Sequence, residues 1–308
     1  MESSFYHWLQ SHLPESEHLK IGIGDDAAIL ASANDTHSVV TTDMLTDGVD
    51  FLIEEVDLKK VGHKSLGVNL SDLAAMAARP NAAVIALALP QQGAQNCSAF
   101  ALAVEIYKGL LPLAEQFGVA IAGGDTNTWS GPLAISITAI GSTTRHGPLL
   151  RRGAEPGDQL LVTGYFGGSI LGRHLCVQPR IHEALLLNER YELHAAIDVS
   201  DGLALDSSRL ANASDCGVVL ELNTIPIASA AHQLADQDNH SALEHALGDG
   251  EDFELILAVP AATARQILHD QPLDIPITRI GQMLDQPGLW QQDQAGIRKP
   301  LEPSGWMH

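Results

Sequence analysis

Apolar runs in this chain repeatedly end or turn on aspartates flanked by glycine or threonine, and that recurrence limits what it can fold into. Ile21-Gly-Ile-Gly-Asp-Asp-Ala-Ala-Ile-Leu30 reads as strand, glycine turn, strand, and Ser38-Val-Val-Thr-Thr-Asp43 as a strand closing on polar residues. Val119-Ala-Ile-Ala122 runs into Gly123-Gly124-Asp125, and Ala196-Ile-Asp-Val-Ser200 carries Asp198. Strands deliver carboxylates to their ends, so a fold that gathers these strands gathers negative charge in one place.

Helices are expected between them. Asp57 is an N-cap for a helix to about Ala78, stopped by Arg79-Pro80-Asn81, with Asn69 and Asp72 at i, i+3 on one face. Residues 98–117 have helical periodicity ending at Gly118. Ala82 to Leu89, Leu133 to Gly141, Gly217 to Leu222 and Phe253 to Val259 read as further strands, and Leu203 to Ala213 as a helix. A turn-rich charged stretch, Arg151-Arg-Gly-Ala-Glu-Pro-Gly-Asp158, precedes the fresh strand Gln159-Leu-Leu-Val-Thr163. A chain of 308 residues exceeds one comfortable core, so an α+β or α/β protein of two domains is expected, spanning 1–148 and 149–308.

Charge narrows the function classes. A net charge of −21 with only 17 basic residues argues against a nucleic-acid partner, whose phosphates need Lys and Arg. Met1-Glu2-Ser3-Ser4 lacks the basic and apolar regions of a leader, and no run reaches the ~18 apolar residues of a membrane helix. A cytoplasmic setting without a membrane partner is therefore expected. Cys97, Cys176 and Cys216 are far apart and suggest neither a disulfide framework nor a zinc site.

No Gly-x-x-x-x-Gly-Lys-Ser/Thr loop occurs, nor a Gly-x-Gly-x-x-Gly fingerprint. What the chain offers is hard oxygen: Asp25, Asp26, Thr41, Thr42, Asp43, Asp72, Asp125, Asp198 and Asp201. Such ligands suit magnesium, and packing like charges together without a cation costs several kcal/mol. Magnesium held by a few carboxylates completes its shell with polyphosphate, which leads to a nucleotide. One Gly-Asp-Asp alone is a turn or a helix cap; the ordered conjunction carries the inference.

The runs Gly22-Ile-Gly-Asp-Asp-Ala-Ala28, Thr41-Thr-Asp-Met-Leu45, His63-Lys-Ser-Leu-Gly-Val-Asn-Leu-Ser-Asp-Leu-Ala-Ala-Met-Ala77, Gly123-Gly-Asp-Thr126, Arg151 to Asp158, Ile197-Asp-Val-Ser-Asp-Gly-Leu203 and Gly250-Glu-Asp-Phe-Glu-Leu255 resemble the thiamine-monophosphate kinase family. The resemblance implies an N-terminal sheet domain that dimerises, as in aminoimidazole ribonucleotide synthetase, and a C-terminal α/β domain. It implies ATP and Mg2+ as cofactors, thiamine monophosphate as substrate, and a homodimer. By motif, it makes Asp26, Thr41, Thr42, Asp43, Asp72, Asp125, Asp198 and Asp201 metal ligands. Gly124, Asp125, Arg151 and Ser200 would touch the nucleotide, and Asp50, Glu251 and Trp306 the substrate. Asp43, Asp72, Asp201 and Arg151 would carry the transfer. The chain departs from the family at Asp50-Phe51, where many members have His before Phe, at Gly167-Gly168-Ser169, and at Asp249, where Gly is frequent.

Two other readings compete. One is a relative acting on a purine precursor, selenide or a carbamoyl group; the selenide enzyme would carry a catalytic Cys in the N-terminal glycine-rich segment, and none precedes Cys97. The other is a non-catalytic acidic metal binder, which does not explain why the carboxylates are spread along the chain with no EF-hand loop among them.

Overall fold

The aspartate-bearing strands fall into two sheets. The computed structural model describes residues 5, 8, 9, 12, 13, 16–32, 36–293 and 295–306; Met1 to Ser4, on which the expectation of no leader rests, lie outside them. The first sheet holds β1 (Leu19–Ile21), β2 (Ala28–Leu30), β3 (Ser38–Thr46), β4 (Arg79–Pro90), β5 (Ala120–Trp129) and β6 (Ala134–Ser142) in the order β1-β2-β3-β6-β4-β5. Its ladders are antiparallel except β4 with β5. The helices α1 (Leu58–Ala75) and α2 (Ala99–Phe117) pack together and α1 lies on the sheet.

Both helices are bounded by the expected punctuation. The Asp57 carboxylate accepts from Lys59 N at 2.9 Å, Ser98 Oγ accepts from Ala101 N at 3.3 Å, and α2 ends on Gly118 at φ 67°. They cross closely, because a Cβ on Gly62 would stand 1.9 Å from the carbonyl oxygen of Ile106, and one on Gly109 would stand 1.7 Å from that of Lys59.

The second sheet holds β7 (Gln159–Thr163), β8 (Ala195–Asp198), β9 (Gly217–Glu221), β10 (Leu255–Val259), β11 (Ile277–Leu284), β12 (Gly288–Gln292) and β13 (Arg298–Pro300) in the order β13-β12-β9-β11-β7-β10-β8. Its helices are α3 (Ile181–Arg190), α4 (Leu203–Ala213), α5 (Ser229–Ala235), α6 (Ala242–Gly248) and α7 (Ala261–Asp270). Among the described residues no helix is long and apolar enough to cross a membrane.

α1 joins the two halves. It touches β3, β4 and β6 on one side and α3 and β8 on the other, so it is buried around most of its circumference. A helix buried on all sides has no solvent face to receive polar residues. Lys64, Ser65, Asn69 and Ser71 are nevertheless buried in it, and each is satisfied internally.

One expectation is corrected by the strand lengths. Asp43 and Asp125 lie inside β3 and β5 and not beyond their ends. Which face of the strand a residue occupies therefore decides where its side chain goes.

Candidate active site

In β3, Val39, Thr41 and Leu45 are buried, while Thr42 and Met44 are exposed. This alternation turns Thr41 and Asp43 toward α1 and Thr42 away from it. Thr42 Oγ1 donates to Ile137 O at 3.2 Å and accepts from Thr138 Oγ1 at 3.1 Å. The period of two in a strand thus places the Thr42 hydroxyl on the face of β3 opposite Thr41.

On the α1 side three carboxylates converge. Asp26 from the turn before β2, Asp72 from α1 and Asp198 from the end of β8 offer oxygens that lie within 4.8 Å of one another. Thr41 Oγ1 donates to Asp72 at 2.5 Å, and Ser71 Oγ donates to Asp198 at 2.5 Å across the two halves of the chain. The second oxygen of Asp26 is buried and has no hydrogen-bond partner among the described residues. Its first oxygen accepts from Arg151 Nε at 3.0 Å and Nη2 at 2.6 Å.

Asp72 and Asp198 resist ionisation. Burial first, and then the charges of Asp43, Asp198 and Asp26, hold the Asp72 carboxyl well above its usual range. Burial and the charge of Asp26 do the same to Asp198. Asp43 is pushed up to about 6 by burial and by Asp50, and Asp25 to about 6 by burial and by Asp26. Burial alone would lower Arg151, but Asp26, by charge and by hydrogen bonding, raises it above the ordinary guanidinium value. Arg151 N also donates to both oxygens of Asp25, at 3.2 and 3.3 Å. One guanidinium cannot neutralise this many carboxylates. A buried oxygen without a donor, crowded hard-oxygen ligands and mutual repulsion are the conditions that a divalent cation relieves, so the residues fit one.

The remaining expected residues are distributed around this centre. Asp201 does not join the three-carboxylate cluster: its carboxylate pairs with Arg209, which also reaches Asp206 at 2.8 Å. Asp206 accepts in turn from Asp201 N at 2.9 Å and Gly202 N at 3.1 Å, and burial, with Asp201, pushes it up to about 7 against the opposing charge of Arg209. Ser200 O accepts from Glu251 N at 2.6 Å, and Asp201 O accepts from Trp306 N at 2.8 Å, so Ser200, Asp201, Glu251 and Trp306 form one neighbourhood. The Trp306 side chain is 56% exposed.

Asp50 is not one of the three converging carboxylates, although its charge acts on Asp43; its carboxylate closes a turn, accepting from Thr46 N at 2.6 Å. Asp125 is not brought to the cluster within this chain either. It is exposed on the sheet-edge strand β5, opposite Ala86, and its carboxylate accepts from Thr126 N. Gly124 is required by packing, since a Cβ there would stand 1.7 Å from Ile85 O.

Lys64 and Arg209 belong to this region and were not among the expected site residues. Lys64 had a signal: it is the one Lys or Arg from Val61 to Leu70, a stretch of small and apolar residues broken otherwise only by His63, Ser65 and Asn69. Arg209 had only its i, i+3 spacing from Asp206.

Comparison with known proteins adds three findings. The AIR synthase related protein N-terminal domain matches residues 24–143, and the corresponding C-terminal domain matches residues 146–290. A thiamine-monophosphate kinase of Rhodopirellula baltica is 44% identical over 315 residues, covering 100% of this chain and 97% of the relative, and one of Escherichia coli K12 is 33% identical over 287 residues, covering 86% and 84%. The solved structure described as AaThiL complexed with AMPPCP and TMP superposes with a TM-score of 0.84 at 27% identity, covering 100% of this chain and 96% of that one.

Proposed function

Since this chain belongs to the thiamine-monophosphate kinase family of AIR synthase related proteins, we propose that it transfers the γ-phosphoryl group of ATP to the phosphate of thiamine monophosphate. The products are thiamine diphosphate and ADP. The observation that carries this reading is the convergence of Asp26, Asp72 and Asp198 within 4.8 Å beside Arg151. Magnesium would be held by those three carboxylates with Asp43 and Thr41, and when bound it supplies neutralising charge to phosphate oxygens.

The chain's own residues have limited work to do. An acceptor phosphate has a second pKa near ~6 and is already largely ionised at neutral pH, so no general base is needed. That agrees with a centre built from carboxylates, hydroxyls and a guanidinium. Arg151 presents a permanent positive charge for the transferring group, and the α1 and β3 side chains fix the geometry of the carboxylates around it. Glu251 and Trp306, near Ser200 and Asp201, form the acceptor side, where an aromatic face suits a cationic heterocycle.

Four further readings belong to the same proposal. Residues 1–148 and 149–308 act as its two domains. Thr42, Asp125, Gly124 and Asp201 serve ATP or metal from outside the three-carboxylate cluster. The chain works as a homodimer, supported by the outer face of the first sheet, where Met44 (66% exposed) and Val84 are open apolar side chains. The setting is the cytoplasm, where ATP is supplied. The test is product formation from ATP, magnesium and thiamine monophosphate, with free thiamine in parallel. Thiamine diphosphate made only from the monophosphate is the expected result; magnesium-dependent ATP binding without turnover would redirect the search to another acceptor.

A further inference from the structure

We propose that Lys64 is a positioning residue for the acceptor side of the site, holding the Asp50 turn and the Glu251 loop in one register; this rests on the kinase reading above. Lys64 lies on α1 and is 1% exposed. Its Nζ donates to Asp50 O at 2.8 Å and pairs with Glu251 Oε1 at 2.6 Å. A single buried cation therefore connects two loops that are distant in sequence, and both contain residues expected at the substrate.

The Glu251 loop needs holding. Gly250, Glu251 and Phe253 have φ values of 73°, 54° and 50°, and the last two are not glycine. Residues kept in this region are strained unless their surroundings determine them. The second half of the chain supplies several ties: Gly168 N donates to Asp249, Ser169 Oγ donates to Gly250 O, and Glu251 N donates to Ser200 O. Lys64 adds one from α1, the helix that also carries Asp72.

Stability alone does not explain a lysine here, because replacing a buried ion pair by apolar groups is often neutral or stabilising. What the pair does is orient. Lys64 holds one oxygen of Glu251, whose side chain remains 35% exposed. His174 packs near the pair; burial foremost, with a smaller contribution from the Lys64 charge, lowers its pKa, and its Nδ1 meets Ser169 O at 2.8 Å.

The test is steady-state kinetics of Lys64→Met, Glu251→Gln and the double variant, with AMPPCP binding measured alongside. Lys64→Met is expected to raise KM for thiamine monophosphate tenfold or more while KM for ATP and AMPPCP affinity stay within about twofold. The double variant is expected to be no worse than the poorer single one, because Lys64 acts through Glu251. Equal changes in both KM values, an unchanged KM, or additive effects would overturn the inference. Should Lys64→Met not fold, Glu251→Gln must show the same acceptor-selective change, and an equal effect on ATP there overturns it too. Wild-type protein inactive toward thiamine monophosphate would sink the kinase reading itself, whereas an active wild type with an unaltered Lys64→Met sinks only the role of Lys64.

Discussion

Replacing Asp72 by Asn tests the carboxylate cluster most directly, because it removes charge while keeping shape and an acceptor for Thr41. Two unit charges 4.8 Å apart at an effective dielectric constant of 20 repel by about 3.5 kcal/mol, and Asp72 faces both Asp26 and Asp198 at such separations. The full sum is not realised. Burial and mutual repulsion favour the neutral forms of Asp72 and Asp198, and Arg151 offsets Asp26. A gain of about 1–2 kcal/mol in metal-free stability remains, which in a chain of this size raises Tm by about 3 °C. The assay is thermal unfolding in chelator and then in excess magnesium, together with turnover. Wild type is expected to gain stability from magnesium, and Asp72→Asn to gain little and to lose turnover while folding normally. A variant that melts below wild type in chelator, and is stabilised by magnesium as strongly as wild type, would refute the reasoning.

Asp206 sets a pH dependence with a definite sign. Its native pKa is about 7 against 3.8 unfolded, so between those values the native state holds more protons and stability falls as pH rises, by up to about 4 kcal/mol above pH 7. Urea unfolding in chelator at pH 5 and pH 8 is expected to show about 2.7 kcal/mol of this loss, and Asp206→Asn to reduce it; an unchanged loss would reassign it to the other raised carboxyls. Gly62→Ala should destabilise by about 2–4 kcal/mol, since its Cβ would stand 1.9 Å from Ile106 O and the two helices must separate; chemical denaturation reads the effect, and a loss below about 0.5 kcal/mol would show that the crossing yields easily. Met44→Glu on the open face of the first sheet should shift the protein toward monomer in sedimentation velocity without lowering its monomer stability, and an unchanged sedimentation coefficient would place any dimer contact elsewhere.

Local chemistry made much of this architecture legible. The Asp57 cap, the Ser98 and Gly118 bounds of α2, and the strands that became β6, β7 and β10 depend on neighbouring residues, and sequence carries that information without the fold. The ordered aspartate motifs likewise brought Asp26, Asp72 and Asp198 into view. The orientation of the Thr42 hydroxyl was legible as well: consecutive strand residues alternate in facing, so the alternation of β3 puts it on the face opposite Thr41.

Other features depend on contacts that no local pattern specifies. Ser71 meets Asp198 across 127 positions, and Lys64 meets Glu251 only because α1 lies between the two halves of the chain. Asp201 has the same motif credentials as Asp198, yet Arg209 captures its carboxylate while Asp198 turns into the cluster. Sequence by itself determined which residue types were available and which segments would be strand or helix, because propensity, capping and periodicity act over a few residues. Tertiary structure alone decided which carboxylates share one buried space, because repulsion, desolvation and ion pairing depend on distances set only when α1 is enclosed from both sides.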